Sequence, residues 1–223
     1  LRAALFPKDD PSLRDSTPES VRSITSDDVR AYYKKAYRPD LATIVVLGKI
    51  TPEKARATIE KYFGGWTATG DRPAVDLPTV PANMPSAVAV PDSSRIQDQV
   101  SLAHTIGLTR TDPDYYALQM GSAVLGGGFY STRLSIDLRK NAGLVYSVGS
   151  DLQAGKTRSV YTVSYACDPQ NVSKAGAIIV RDLKTMQTTP VGTAELQRVK
   201  ALMVRQLPLG ESSMSAIARG FTG

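Results

Sequence analysis

Between Gly70 and Pro91 the chain carries five prolines, Pro73, Pro78, Pro81, Pro85 and Pro91. Each fixes its own φ and removes a backbone donor, so neither a helix nor a central strand can run through this stretch. An extended connector is what such a spacing permits. It divides the 223 residues into a part before about residue 75, a connector over 76–87, and a part from 88 to 223. Each side must then bury its own apolar faces.

The first part reads helix, strand, helix. Thr25-Ser-Asp-Asp28 places a capping hydroxyl and two acids at a helix start, and the helix is expected to run to about Tyr37, before Arg38-Pro39. Ala42 to Leu47 has the β-branched density and shortness of a buried strand closed by Gly48. Thr51-Pro52 caps and opens a second helix, which Gly64-Gly65 stops after Phe63.

Beyond the connector, Val88–Val90 and Gln97–Ile106 are expected as strands, the second with Val100, Leu102, His104 and Ile106 on one face. Asp112-Pro113 opens a helix ending at Gly126-Gly-Gly128. Another runs from Ser131 to Asn141, with Gly143 placed to close it. Val145–Gln153 and Thr157–Ala166 form a hairpin turning at Ala154-Gly-Lys156. Asp168-Pro169 caps a long helix whose apolar stripe, Val172, Ala175, Ile179, Leu183 and Met186, must face a sheet. Helices from Thr193 to about Leu207 and from Ser212 onward follow. The fold class is α+β, a mixed or antiparallel sheet with helices packed on it.

Several chemistries are excluded or weakened. The longest apolar run is far below the roughly 20 residues of a membrane span. The net charge of +6 comes from bases interleaved with acids, which describes a solvated surface and not a nucleic-acid patch. His104 and Cys167 are single and 63 residues apart, so no zinc site with three protein ligands is built here, and His104 reads as a satisfied strand residue. Ala154-Gly-Lys-Thr157 lacks the upstream glycine and the strand–loop–helix setting of a phosphate loop. Arg139, in the last turn of its helix, and Tyr146, on the next strand, can both donate hydrogen bonds into one cleft. A helix-end arginine and a strand tyrosine are ordinarily surface and packing residues, so spacing alone leaves both readings open.

The segment Leu125-Gly-Gly-Gly-Phe-Tyr-Ser-Thr-Arg-Leu-Ser-Ile-Asp-Leu-Arg-Lys-Asn-Ala-Gly-Leu-Val-Tyr-Ser-Val148 resembles the signature of the non-zinc domain in the pitrilysin/insulinase family of zinc peptidases, which includes the mitochondrial processing peptidases. Upstream, Leu5-Phe-Pro7, Thr17-Pro-Glu-Ser20, Tyr37-Arg-Pro39, Ile44–Gly48 and Lys61–Trp66 are similar to the end of that family's preceding domain.

The resemblance implies homologous α+β domains closing around an unfolded peptide. Zinc is held by His-x-x-Glu-His in a catalytic domain elsewhere, and an Arg and a Tyr seven residues apart grip the substrate backbone. Arg139 and Tyr146 have that spacing, and the Gly127, Gly128, Phe129 turn would shape the cleft edge. No His-x-x-Glu-His occurs in the chain, so no cofactor is expected in it and hydrolysis is not expected of it alone. The implied partners are a peptide or unfolded polypeptide and a zinc-bearing half or subunit. The start at Leu1 suggests a piece of something longer, either from an active half or from a metal-free second half. Phe6-Pro-Lys-Asp-Asp-Pro11, similar to fused bacterial proteins, favours the second and an exported, periplasmic placement. The rival reading is a structural or assembly subunit that has lost peptide binding.

Overall fold

The computed structural model describes residues 1–128 and 130–222, which separate into two compact units. Unit 1 takes residues 1–14 and 76–202, unit 2 residues 15–75 and 203 onward. In chain order the helices are α1 (Arg2–Leu5), α2 (Pro18–Arg22), α3 (Ser26–Ala36), α4 (Pro52–Phe63), α5 (Tyr115–Ser122), α6 (Val172–Thr188), α7 (Thr193–Gly210) and α8 (Met214–Thr222). The strands are β1 (Asp98–Ile106), β2 (Ser147–Ala154) and β3 (Ser159–Cys167).

Unit 1 is built on these strands, antiparallel in the order β1-β3-β2. Period-two alternation sets the register. Val100, Leu102 and His104 lie opposite Tyr165, Val163 and Tyr161, which in turn lie opposite Val148, Ser150 and Leu152. The result is one largely apolar face. Against it pack Leu125, Leu134 and Leu138 from the segment before the hairpin, with Ala175 and Ile179 from α6. Leu134, Leu138 and Ile179 are fully buried. The α6 stripe expected at three- and four-residue steps is therefore the one that meets the sheet, and the fold is α+β as the pattern implied. The hairpin turn expected at Ala154–Lys156 is also present, closed by the Gly155 amide donating to the Arg158 carbonyl at 2.9 Å.

The tandem helices after the connector differ from expectation in form. α5 widens into a π-helical turn over Ala123–Gly127, and the next helical segment is π-helical over Ser135–Asn141. Its exit shows the widening directly: the Ala142 amide reaches back five residues to the Asp137 carbonyl at 3.1 Å, and Leu144 six residues to Leu138 at 2.8 Å. Gly143 sits at φ +62°, the left-handed position that closes the segment at low steric cost. The N-terminal residues are fastened to unit 1 by Asp10, which is buried and accepts from Ser12 and from Arg158 Nη1 at 3.0 and 2.8 Å.

In unit 2 the local signals behave as written. Thr25 and Asp28 form a reciprocal capping box on α3, and Thr51 caps α4 at the Lys54 amide. Arg38 is buried, paired with Asp40 through Nε at 2.9 Å and Nη2 at 2.8 Å. It also donates to the carbonyls of Thr69, Gly70 and Asp71 at 2.9–3.1 Å. The strand expected at Ala42–Leu47 does not form: among the described residues nothing ladders with it, and Ile44, Val46 and Leu47 are 46, 44 and 40% exposed. Composition makes a segment strand-compatible, but a ladder also needs a neighbour's N–H and C=O groups. Val88–Val90 fails for the same reason, with both valines exposed.

Leu138→Ala, which empties a fully buried site, is expected to destabilise unit 1 by about 2–5 kcal/mol, whereas Ile44→Ala at an exposed position costs about 0.5 kcal/mol or less. Urea unfolding of each variant checks the contrast.

Candidate functional site

The segment carrying Arg139 is positioned by its apolar neighbours. Leu134 and Leu138 point into the core, which leaves Arg139 on the outer side, exposed. Its guanidinium lies over the ring of Tyr130, 4.6 Å from the centroid, and Tyr130 is 73% exposed. Among the described residues Arg139 has no carboxylate partner, so its donors remain available. A cation held over a ring face keeps its edge N–H groups pointing outward.

Tyr146 immediately precedes β2, and its amide donates to the Ala166 carbonyl at 2.9 Å, which fixes the backbone to β3. The ring is 55% exposed. Its hydroxyl donates to Asp168 Oδ1 at 3.1 Å. That hydrogen bond, then the Asp168 charge and some burial, raise the phenol above its ordinary titration range, while the Gln97 amide acts in the opposite sense. Arg139 and Tyr146 thus each rest on a different neighbour, the one on Tyr130 and the other on Asp168.

The glycines serve the packing that carries both. A Cβ on Gly126 would come within 2.7 Å of the Ser150 amide nitrogen and 3.0 Å of Leu134 Cδ1. On Gly127 it would meet the Ser122 and Ser150 carbonyl oxygens at 3.2 and 3.3 Å, and on Gly128 the Ala123 oxygen at 3.1 Å. The π turn therefore lies directly on β2, an approach only glycine permits. Ser150 Oγ adds a bond to the Ser122 carbonyl at 3.1 Å. Phe129, expected at the cleft edge, lies outside the described residues.

The same segment is tied to α7. Arg133 binds Glu195 with two parallel bonds, Nε to Oε1 at 2.9 Å and Nη2 to Oε2 at 2.7 Å, and Arg198 donates to the Ser131 carbonyl at 2.9 Å. The Arg133 hydrogen bonds hold the Glu195 carboxyl below its ordinary range.

Sequence reading overlooked Tyr130 and gave Asp168 a different task. Asp168 precedes Pro169 at a helix start and was expected to cap, yet its side chain makes no cap bond. Only the tertiary approach of Tyr146 reveals its partner. His104 stands exposed on β1 opposite Tyr161. Among the described residues no three of His, Cys, Asp and Glu stand together as metal ligands, so these residues do not fit the family's zinc. Nor is any described helix long and apolar enough to cross a membrane.

The frame that carries Arg139 and Tyr146 is an α+β unit of three antiparallel strands with helical segments packed on one face. Residues 23–203 match the family described as "Peptidase M16 inactive domain", and the chain belongs to it. "Probable inactive metalloprotease YmfF" of Bacillus subtilis (strain 168) is 22% identical over 189 residues, covering 85% of this chain and 43% of that protein. In fold the chain is similar to the crystal structure of a peptidase M16 inactive domain from Pseudomonas fluorescens, with a TM-score of 0.72 and 22% identity over 92% of this chain and 48% of that one. It is also similar to the periplasmic protease PqqL from Escherichia coli, with a TM-score of 0.72 and 20% identity over 90% and 22%. The chain spans less than half the length of each of these proteins.

Two outcomes are expected from this geometry. Gly126→Ala forces a methyl into the Ser150 backbone and should lower stability by about 1–3 kcal/mol in urea unfolding. Glu195, depressed when folded, adds stability that is present above its unfolded value of about 4.3 and is lost as pH falls through its folded value. Arg133→Met should therefore flatten the acid limb of a stability-against-pH curve relative to wild type.

Proposed function

We propose that this chain is the metal-free, peptide-gripping part of a protein whose zinc-bearing half lies elsewhere, and that its substrate is an extended or unfolded polypeptide. Residues 1–75 are read as the end of one homologous domain, 76–87 as connector, and 88–223 as the second domain. One observation carries the reading. Arg139 is exposed, without a carboxylate partner among the described residues, and held over the Tyr130 ring, while Tyr146 offers a half-exposed phenol seven residues on. Fold stability gains little from a guanidinium left in water without an ion pair. Extended backbone offers carbonyl oxygens to that guanidinium and polar atoms to the phenol.

In this reading Gly127 and Gly128 border the groove. The chain supplies binding and orientation, contributions that act through proximity and need no metal of its own. The likeness to fused bacterial proteins, together with PqqL described as periplasmic, supports reading the placement as exported and bacterial.

The test uses the full-length protein and fluorescein-labelled β-casein, an unfolded polypeptide, with binding followed by anisotropy. Arg139→Ala and Tyr146→Phe are each expected to weaken binding about tenfold, or about 1.4 kcal/mol. Unchanged binding by both, with circular dichroism like that of wild type, would favour a structural or assembly role instead.

A further inference from the structure

Asp168 occupies the residue before Pro169, at the entrance to the helical run that becomes α6. An aspartate there ordinarily turns its carboxylate onto the free amides of the first turn. In this protein its backbone carbonyl accepts from the Asn171 amide at 2.9 Å, while the side chain makes no cap bond and accepts from the Tyr146 hydroxyl at 3.1 Å. A favourable local contact has been given up for one with a half-exposed phenol on the start of another strand. Nothing in the core requires that phenol.

The polarity of the contact follows from chemistry. A carboxylate only accepts, and a phenol has one proton to give. With that proton directed at Asp168, the Tyr146 oxygen has two lone pairs left to accept with, one for the Gln97 amide that acts on it and one for an incoming donor at this half-exposed position. Arg139 has the opposite character, since a guanidinium only donates. An extended polypeptide presents both kinds of group, carbonyl oxygens and amide hydrogens in alternation.

We infer that Asp168 is a positioning residue which commits the Tyr146 proton to itself, so that Tyr146 accepts a backbone N–H from the bound polypeptide while Arg139 donates to a carbonyl. This rests on the peptide-gripping reading above and sharpens it. A donor-and-acceptor pair recognises chain direction and register, which two donors do not. It also discriminates against a residue lacking an N–H, such as proline, at the position facing Tyr146.

The experiment uses the full-length protein and a synthetic unstructured β-casein peptide, together with analogues methylated at one backbone nitrogen at a time. Wild type should lose about tenfold in affinity for one analogue beyond the general effect of methylation. That excess should vanish in Tyr146→Phe, and in Asp168→Ala, where the phenol proton is released. Independently, tyrosine Cζ resonances titrated by NMR, with Tyr146 assigned from Tyr146→Phe, should show its transition at lower pH in Asp168→Asn than in wild type. This shift reports the contact, and the methylated analogues report whether the contact positions Tyr146 for the peptide.

If Tyr146→Phe weakens binding but every methylated analogue loses equally in both proteins, Tyr146 is a donor and the inference fails while peptide gripping stands. An unmoved Tyr146 transition in Asp168→Asn would overturn the contact itself. If Arg139→Ala and Tyr146→Phe both bind β-casein as wild type does, the underlying reading falls and takes this one with it.

Discussion

The arrangement depends on two pieces of backbone lying closer than side chains allow. At Gly126 the π turn rests on β2 so tightly that even a methyl would meet the Ser150 amide nitrogen at 2.7 Å. Because the turn is pinned there, Leu125 and then Leu134 enter the same apolar core as Val163 and Ile179. Tyr130 lies in sequence between these two anchors, and the helical segment that follows delivers Arg139 to it. A glycine-rich run that resembles a flexible hinge is here the reverse, since the absent side chains are what bring the layers into contact.

The two π-helical stretches belong to the same constraint. An α-helix turns each residue by a fixed angle, so burying Leu134 and Leu138 in one core normally settles where Arg139 points. Widening the turn redistributes that angle and lets the segment keep its leucines buried while changing the direction of the residues that follow, Arg139 among them. The bidentate Arg133–Glu195 pair then braces the segment against α7 from outside the core. Packing holds one side and an ion pair the other, and the display of Arg139 results from both.

How much of this was legible depended on the range of the interaction. Capping at Thr25 and Thr51, the stop after Phe63 and the reversal at Gly143 are set within a few residues, and each appears where local chemistry placed it. The α6 stripe was legible because periodicity reports a face even when the partner is unknown. Ala42–Leu47 failed because a strand is a relation between two segments and no second segment is present among the described residues. The Arg38 clamp on Thr69, Gly70 and Asp71 was invisible because its partners are backbone carbonyls some thirty residues away, which carry no residue signature. Asp168 misled through a sound local rule. Asp-Pro at a helix start does satisfy the grammar of a cap, and only the tertiary approach of Tyr146 offers a competing donor.

That failure of a local rule is itself informative. Where sequence chemistry and structure agree, as at Thr25, the side chain serves the element it sits in. Where they part, as at Asp168, the side chain serves something outside its element. Arg139 shows the same separation, because a surface cation stacked on an exposed ring contributes little to folding and is not tied down by an ion pair. The stable parts of unit 1, its buried leucines and the glycine contact, thus lie beneath the polar groups and do not consume them. The scaffold that orients Arg139 therefore asks nothing of its N–H groups, whereas Tyr146 has already committed its single proton to Asp168.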